Sequence, residues 1–115
     1  MIVTNNKIVA EQYNEHSLFV DGSTLDVLLK CQELLSESYD LLTHPMTGNV
    51  QISKTPYKSV VMQKADKVQE KSYELINAAI EKAREGKEPN HPKSVLDDYA
   101  FIDLELIKGP LEDLL

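Results

Sequence analysis

Apolar residues along the chain fall into short runs that switch between two periods. Met1–Val3, Leu18–Val20, Tyr39–Thr43 and Tyr57–Met62 are brief, apolar and partly β-branched, as buried strands are. Between the first two, Lys7–Asn14 reads as a short helix with Ile8 and Val9 facing inward. In Leu25–Leu35, positions 25, 28, 29 and 35 form one stripe with Val27, Cys31 and Leu34 beside it. A stripe that broad predicts a well-buried helix. Val68, Leu75, Ile76, Ala79, Ile80 and Ala83 recur at helical spacing, opposite Lys67, Glu70, Lys71, Glu74, Glu81, Lys82 and Glu85.

Polar residues set the boundaries. Asn6 can cap the first helix by accepting a free backbone N–H. Ser23 with Asp26, Asp66 with Gln69, and Ser94 with Asp97 are capping-box pairs, and Gly86 suits a helix C-terminus. The third pair opens a helix from Val95 to about Phe101. The tail reads two ways. Ile102, Leu104 and Leu106 alternate with Asp103 and Glu105 as in a strand, whereas Asp103 can equally cap a short helix that stops at Gly109-Pro110. The stop favours the helix. His44–Pro56, with two prolines, one glycine and no apolar period, is a loop, and a loop that long is commonly functional or mobile.

This order predicts one α/β domain over residues 1–115. The expected fold is a small, mostly parallel four-stranded sheet with helices on its faces, Rossmann-like or flavodoxin-like in three layers, with a helical C-terminus. Right-handed crossovers would put the first strand centrally, between the second and third. Thr4-Asn5-Asn6, Asp21–Thr24 and Thr43-His44-Pro45 would then share one edge of the sheet, where α/β proteins bind ligands.

The chemistry available at that edge is modest. Thr4, Asn5, Asn6, Ser23, Thr24 and Thr43 offer hydroxyl, amide and helix-end donors suited to a carboxylate or phosphate. Each of Asn6 and Ser23 has an equally simple role as a cap. His44 is the residue there able to exchange protons near neutral pH, and the weak candidate for catalysis. Thr47, Gly48, Lys54, Thr55, Tyr57 and Lys58 lie on or after the loop, which could close over an anion as a lid. No Walker loop, G-x-G-x-x-G or G-x-S-x-G motif occurs. The scattered His16, His44 and His91 lack metal-site spacing, so neither a metal nor a cofactor is expected.

Composition narrows the setting. The formal charge of −7 argues against nucleic acid or anionic membrane as a partner. The charge is uneven: residues 57–93 carry 8 basic and 6 acidic side chains, and residues 94–115 carry 1 and 6. No apolar run approaches the ~20 residues of a membrane helix. The start has no signal-peptide pattern, and the single Cys31 permits no internal disulfide, so a cytoplasmic protein is expected. Cys31 itself reads as a small core residue.

Several strings resemble the GrdX family: Ile2-Val3-Thr4-Asn5-Asn6, Gly22-Ser23 before Leu25-Asp26-Val27-Leu28, Leu42-Thr43-His44-Pro45-Met46-Thr47-Gly48-Asn49-Val50, and Lys54-Thr55-Pro56-Tyr57-Lys58-Ser59. Pro89-Asn90-His91-Pro92 and Phe101-Ile102-Asp103-Leu104 also fit, so the resemblance spans most of the chain. It implies a small cytoplasmic protein encoded among the glycine reductase genes of anaerobic, amino-acid-fermenting bacteria, a system that reduces glycine to acetyl phosphate. It implies an accessory part outside electron transfer and brings no catalytic residues to carry over. The expected function is therefore an accessory or regulatory binding protein, taking a small anionic metabolite or a glycine reductase component. Two alternatives stand beside it: a small enzyme with His44 as acid or base, and a structural homodimer module.

Overall fold

Side chains on a strand alternate between faces, and here the alternation decides the whole architecture. The computed structural model describes residues 1–45, 55–85 and 91–114. Strands β1 (Ile2–Thr4), β2 (Ser17–Phe19), β3 (Tyr39–Leu41) and β4 (Ser59–Lys64) form one sheet in the order β2-β1-β4-β3. Four helices accompany them: α1 (Lys7–Gln12), α2 (Thr24–Leu35), α3 (Glu70–Glu85) and α4 (Lys93–Leu114). Val3, Val60 and Met62 face α2 and α3, whereas Ile2 and Val61 face α1 and α4. The layers are therefore helix, sheet, helix.

The sheet is mixed, and the expectation of a mostly parallel, Rossmann-like or flavodoxin-like sheet is overturned. β1 and β2 are parallel, with Thr4 beside Phe19, but β4 runs antiparallel to both of its neighbours, β1 and β3. The physical reason lies in the connections. Parallel neighbours need a crossover, usually a helix, and α1 and α2 each supply one. Between β3 and β4 the sequence carries no helical pattern, so the chain returns antiparallel. β4 then enters the gap expected between β1 and β3, pairing Thr4 with Ser59 and Leu41 with Met62. Since β3 points the same way as β1 and β2, the carboxyl ends of those three strands and the start of β4 still meet at one edge.

Helix ends mostly follow local sequence. Asn6 caps α1, its side-chain oxygen accepting the Ile8 N–H at 3.2 Å. Ser23 and Asp26 close a complete capping box on α2. A Cβ on Gly22 would run into the Asp26 carboxylate, which accounts for glycine there. The start of α3 differs from expectation. Asp40 of β3 accepts the Gln69 N–H at 3.4 Å and the Ser72 hydroxyl, so the capping carboxylate comes from the sheet and not from Asp66.

The tail is one continuous helix that passes through Gly109 and Pro110, where a stop was expected. A proline inside a helix costs ~3 kcal/mol in isolation. Here Leu104, Ile107 and Leu111 pack on Ile2, Val9 and Val61 across the proline, and that burial outweighs the local penalty.

Candidate functional site

On the face under α4, both central strands turn polar toward the shared edge: Ile2 gives way to Thr4, and Val61 to Ser59. Opposite them α4 presents a buried stripe of Ala100, Asp103, Leu104, Ile107 and Leu111, in which Asp103 is the charged member. Asp103 Oδ1 accepts the Ser59 backbone N–H at 3.1 Å, and Oδ2 accepts the Ser59 hydroxyl at 2.7 Å and Asn6 Nδ2 at 3.0 Å. Asn6 Nδ2 also donates to the Ala100 carbonyl at 2.9 Å. With the Ser59 hydroxyl hydrogen donated to Asp103, the 2.7 Å contact between Thr4 and Ser59 has Thr4 as donor. Thr4 Oγ1 in turn accepts the Asn6 N–H. A carboxylate only 7% exposed is thus held by donors from β4 and from Asn6, the cap of α1.

Asn5 works as a bracket. Its Nδ2 donates to the Gly22 carbonyl at 3.0 Å and the Pro56 carbonyl at 2.9 Å, and its Oδ1 accepts the Lys58 N–H at 2.9 Å. Thr24 Oγ1 donates to the Thr55 carbonyl at 2.9 Å, and Thr55 Oγ1 to the Tyr57 carbonyl at 2.9 Å. These bonds fasten the segment before β4 to the start of α2. Lys58 emerges from that segment only 8% exposed. Burial lowers its pKa from the ordinary 10.5, against the opposing pull of the Asp103 carboxylate and of Cys31.

A crevice of about 220 Å³ opens beside this network, lined by Leu42, Thr43, His44, Lys58, Ser59, Asp103, Leu106, Ile107 and Pro110. His44 is exposed on its rim, and Thr43 Oγ1 accepts the Val61 N–H at 3.0 Å. Of the residues anticipated from sequence, Thr43, His44 and Lys58 line the crevice, and Thr4 and Asn6 hold its floor from behind. Asn5, Thr24 and Thr55 stitch the neighbouring edge, Ser23 caps α2, and Tyr57 is half-buried beside Thr55. Thr47, Gly48 and Lys54, and with them the suggested lid, lie outside the described residues. Ser59 and Asp103 were not among the sequence candidates. A lone aspartate inside an apolar helical stripe is the signal that marks the second.

Elsewhere the chemistry is quiet. Burial pushes the Cys31 thiol up to about 12, so it stays protonated and unreactive at neutral pH. A second, shallower hollow of about 400 Å³ is bordered by Lys7, Ala10, Glu11, Asn14 and Phe19. Among the described residues, no cluster of three metal-ligating side chains occurs, and no helix is long and apolar enough to cross a membrane.

A search of the curated proteins and a search of the solved structures each gave no match. Against protein-family models, residues 1–112 match the family described as GrdX-like protein. With nearly the whole chain covered, the protein belongs to the GrdX-like family.

Proposed function

We propose that this GrdX-like protein is an accessory binding protein of the glycine reductase system, and that it holds a small anionic metabolite in the crevice between the start of β4 and α4. The metabolic setting rests on the family's name. The binding role rests on one observation: Lys58 and Asp103, opposite in charge and both buried, line the same small cavity. Holding charges away from water costs several kcal/mol per ion even after relaxation. A fold that needed only packing would fill those positions with hydrocarbon, whereas recognition of a charged ligand uses them. The cavity lies below the roughly 300–1,000 Å³ of drug-sized sites, which suits a ligand of few heavy atoms.

Thermal-shift screening against small carboxylates and phosphates, with pull-downs from an expressing cell, tests this reading. A ligand that raises the melting temperature of the native chain and not of Lys58→Met supports it. Silence in both assays sinks it. His44, exposed on the rim, favours a second reading in which it serves as general acid or base. That reading requires a turnover which His44→Ala abolishes with folding intact, and it ends if no such turnover exists.

A further inference from the structure

We propose that the crevice recognises a small zwitterion, an α-amino acid with a short apolar side chain, in preference to a simple anion; this rests on the binding reading above and narrows its anionic metabolite to a carboxylate that also carries an ammonium group. The first support is charge. Lys58 and Asp103, opposite in charge, both belong to the cavity lining. A simple anion would face Asp103 as a like charge, and a simple cation would face Lys58. A ligand that carries both charges leaves neither buried group opposed when it displaces the crevice water.

Hydrogen-bond capacity agrees. Asp103 Oδ2 receives two donors, from Ser59 Oγ and Asn6 Nδ2, but Oδ1 receives one, from the Ser59 N–H. A carboxylate oxygen has room for two, so Oδ1 retains a place for an ammonium hydrogen. The carboxylate is already oriented by groups that do not belong to the ligand, which spares part of the ordering cost on binding. Across the cavity, Thr43 Oγ1 accepts the Val61 N–H, which leaves its hydroxyl hydrogen to donate to the ligand's carboxylate. Leu42, Leu106, Ile107 and Pro110 supply the apolar wall for a side chain, and the volume of about 220 Å³ keeps that side chain short.

Calorimetric titration of the full chain at neutral pH, with four matched probes, separates this from the parent reading. 2-Aminobutyrate carries both charges, butyrate lacks the ammonium, propylamine lacks the carboxylate, and inorganic phosphate is a compact anion. The expected result is a Kd for 2-aminobutyrate at least about tenfold below the other three, equivalent to about 1.4 kcal/mol. Butyrate or phosphate binding as tightly as 2-aminobutyrate overturns the zwitterion while the anion-binding reading stands. Propylamine binding tightest, or no binding by any probe, overturns both. Asp103→Asn keeps the shape and removes the charge, and should bring butyrate and 2-aminobutyrate within about threefold of each other. Full discrimination retained by that variant rejects Asp103 as the ammonium's partner. If the variant does not fold, the four-probe series on the native chain decides alone.

Discussion

On the face covered by α2 and α3, the buried cluster runs from Val3 to Ile80 and is apolar throughout, with the inert Cys31 thiol and the Met62 thioether its only side-chain heteroatoms. On the face covered by α1 and α4, the cluster is smaller (Ile2, Val9, Val61, Leu104, Ile107 and Leu111) and passes into the Thr4, Asn6, Ser59 and Asp103 network and its crevice. The same two strands serve both faces, so the difference comes from which residues fall on odd and even positions and from what each helix brings. The contrast teaches a division of labour. A well-filled face stabilises the sheet, which lets the other keep buried polar and charged groups that a small domain could not otherwise hold.

The sharpest way to break that comparison is to open a cavity on the well-filled face. Leu28 is fully buried in α2, and Leu28→Ala should cost about 2–5 kcal/mol in urea unfolding. Ile107→Ala, on the crevice wall, should cost less, because that side chain already borders a cavity that can relax. Equal losses would erase the distinction between the faces.

Next in size is Asp103→Ala, which strands the Ser59 N–H and hydroxyl and the Asn6 amide in a buried setting. About 1–3 kcal/mol of destabilisation is expected. A variant as stable as the native chain would mean that the network carries no structural weight.

How far these features could be read in the sequence depended on whether the causes were local. The caps at Asn6 and Ser23 and the broad stripe of α2 involve residues within one turn of each other, and they fold as written. Strand direction is not local. The lack of a helical sequence pattern between β3 and β4 was visible, but placing β4 between β1 and β3 follows from pairing across the sheet. The cap of α3 failed for a similar reason, since Asp40 reaches Gln69 and Ser72 from another element. At the tail, burial of Ile107 and Leu111 overrode a stop that propensity alone would enforce. For the crevice, Thr43, His44 and Lys58 stood out as polar strings next to strands. Ser59 and Asp103 were hidden because each sits in an otherwise apolar pattern.

Asp40 offers a smaller test, at the foot of the well-filled face. Burial pushes its pKa up, but hydrogen bonds from Ser72, Leu41 and Gln69 outweigh this and hold it below the ordinary 3.8. A carboxyl depressed on folding adds stability above its unfolded pKa and loses it as pH falls through the folded one. Native protein should therefore lose stability as pH drops below 3.8, and Asp40→Ala should lack that component while costing about 1 kcal/mol at neutral pH through the uncapped helix. Identical acid-unfolding curves for the two would contradict the cap.

The smallest expected effect is a slope at Lys58. With the folded pKa below 10.5, the unfolded chain holds the proton more tightly over the interval between the two values. Stability should then rise with pH across that interval, and Lys58→Met should flatten the rise. A falling native curve there would show that the lysine gains more from its partners than it loses by burial.

The central claim is that binding belongs to the crevice under α4. An amide chemical-shift titration of the native chain with 2-aminobutyrate tests it most directly. The account predicts perturbations gathered at Thr43, His44, Lys58, Ser59 and Asp103, with Leu28 and Ile76 on the opposite face unmoved. Shifts centred on the Lys7, Ala10 and Phe19 hollow, or none at saturating ligand, would contradict it.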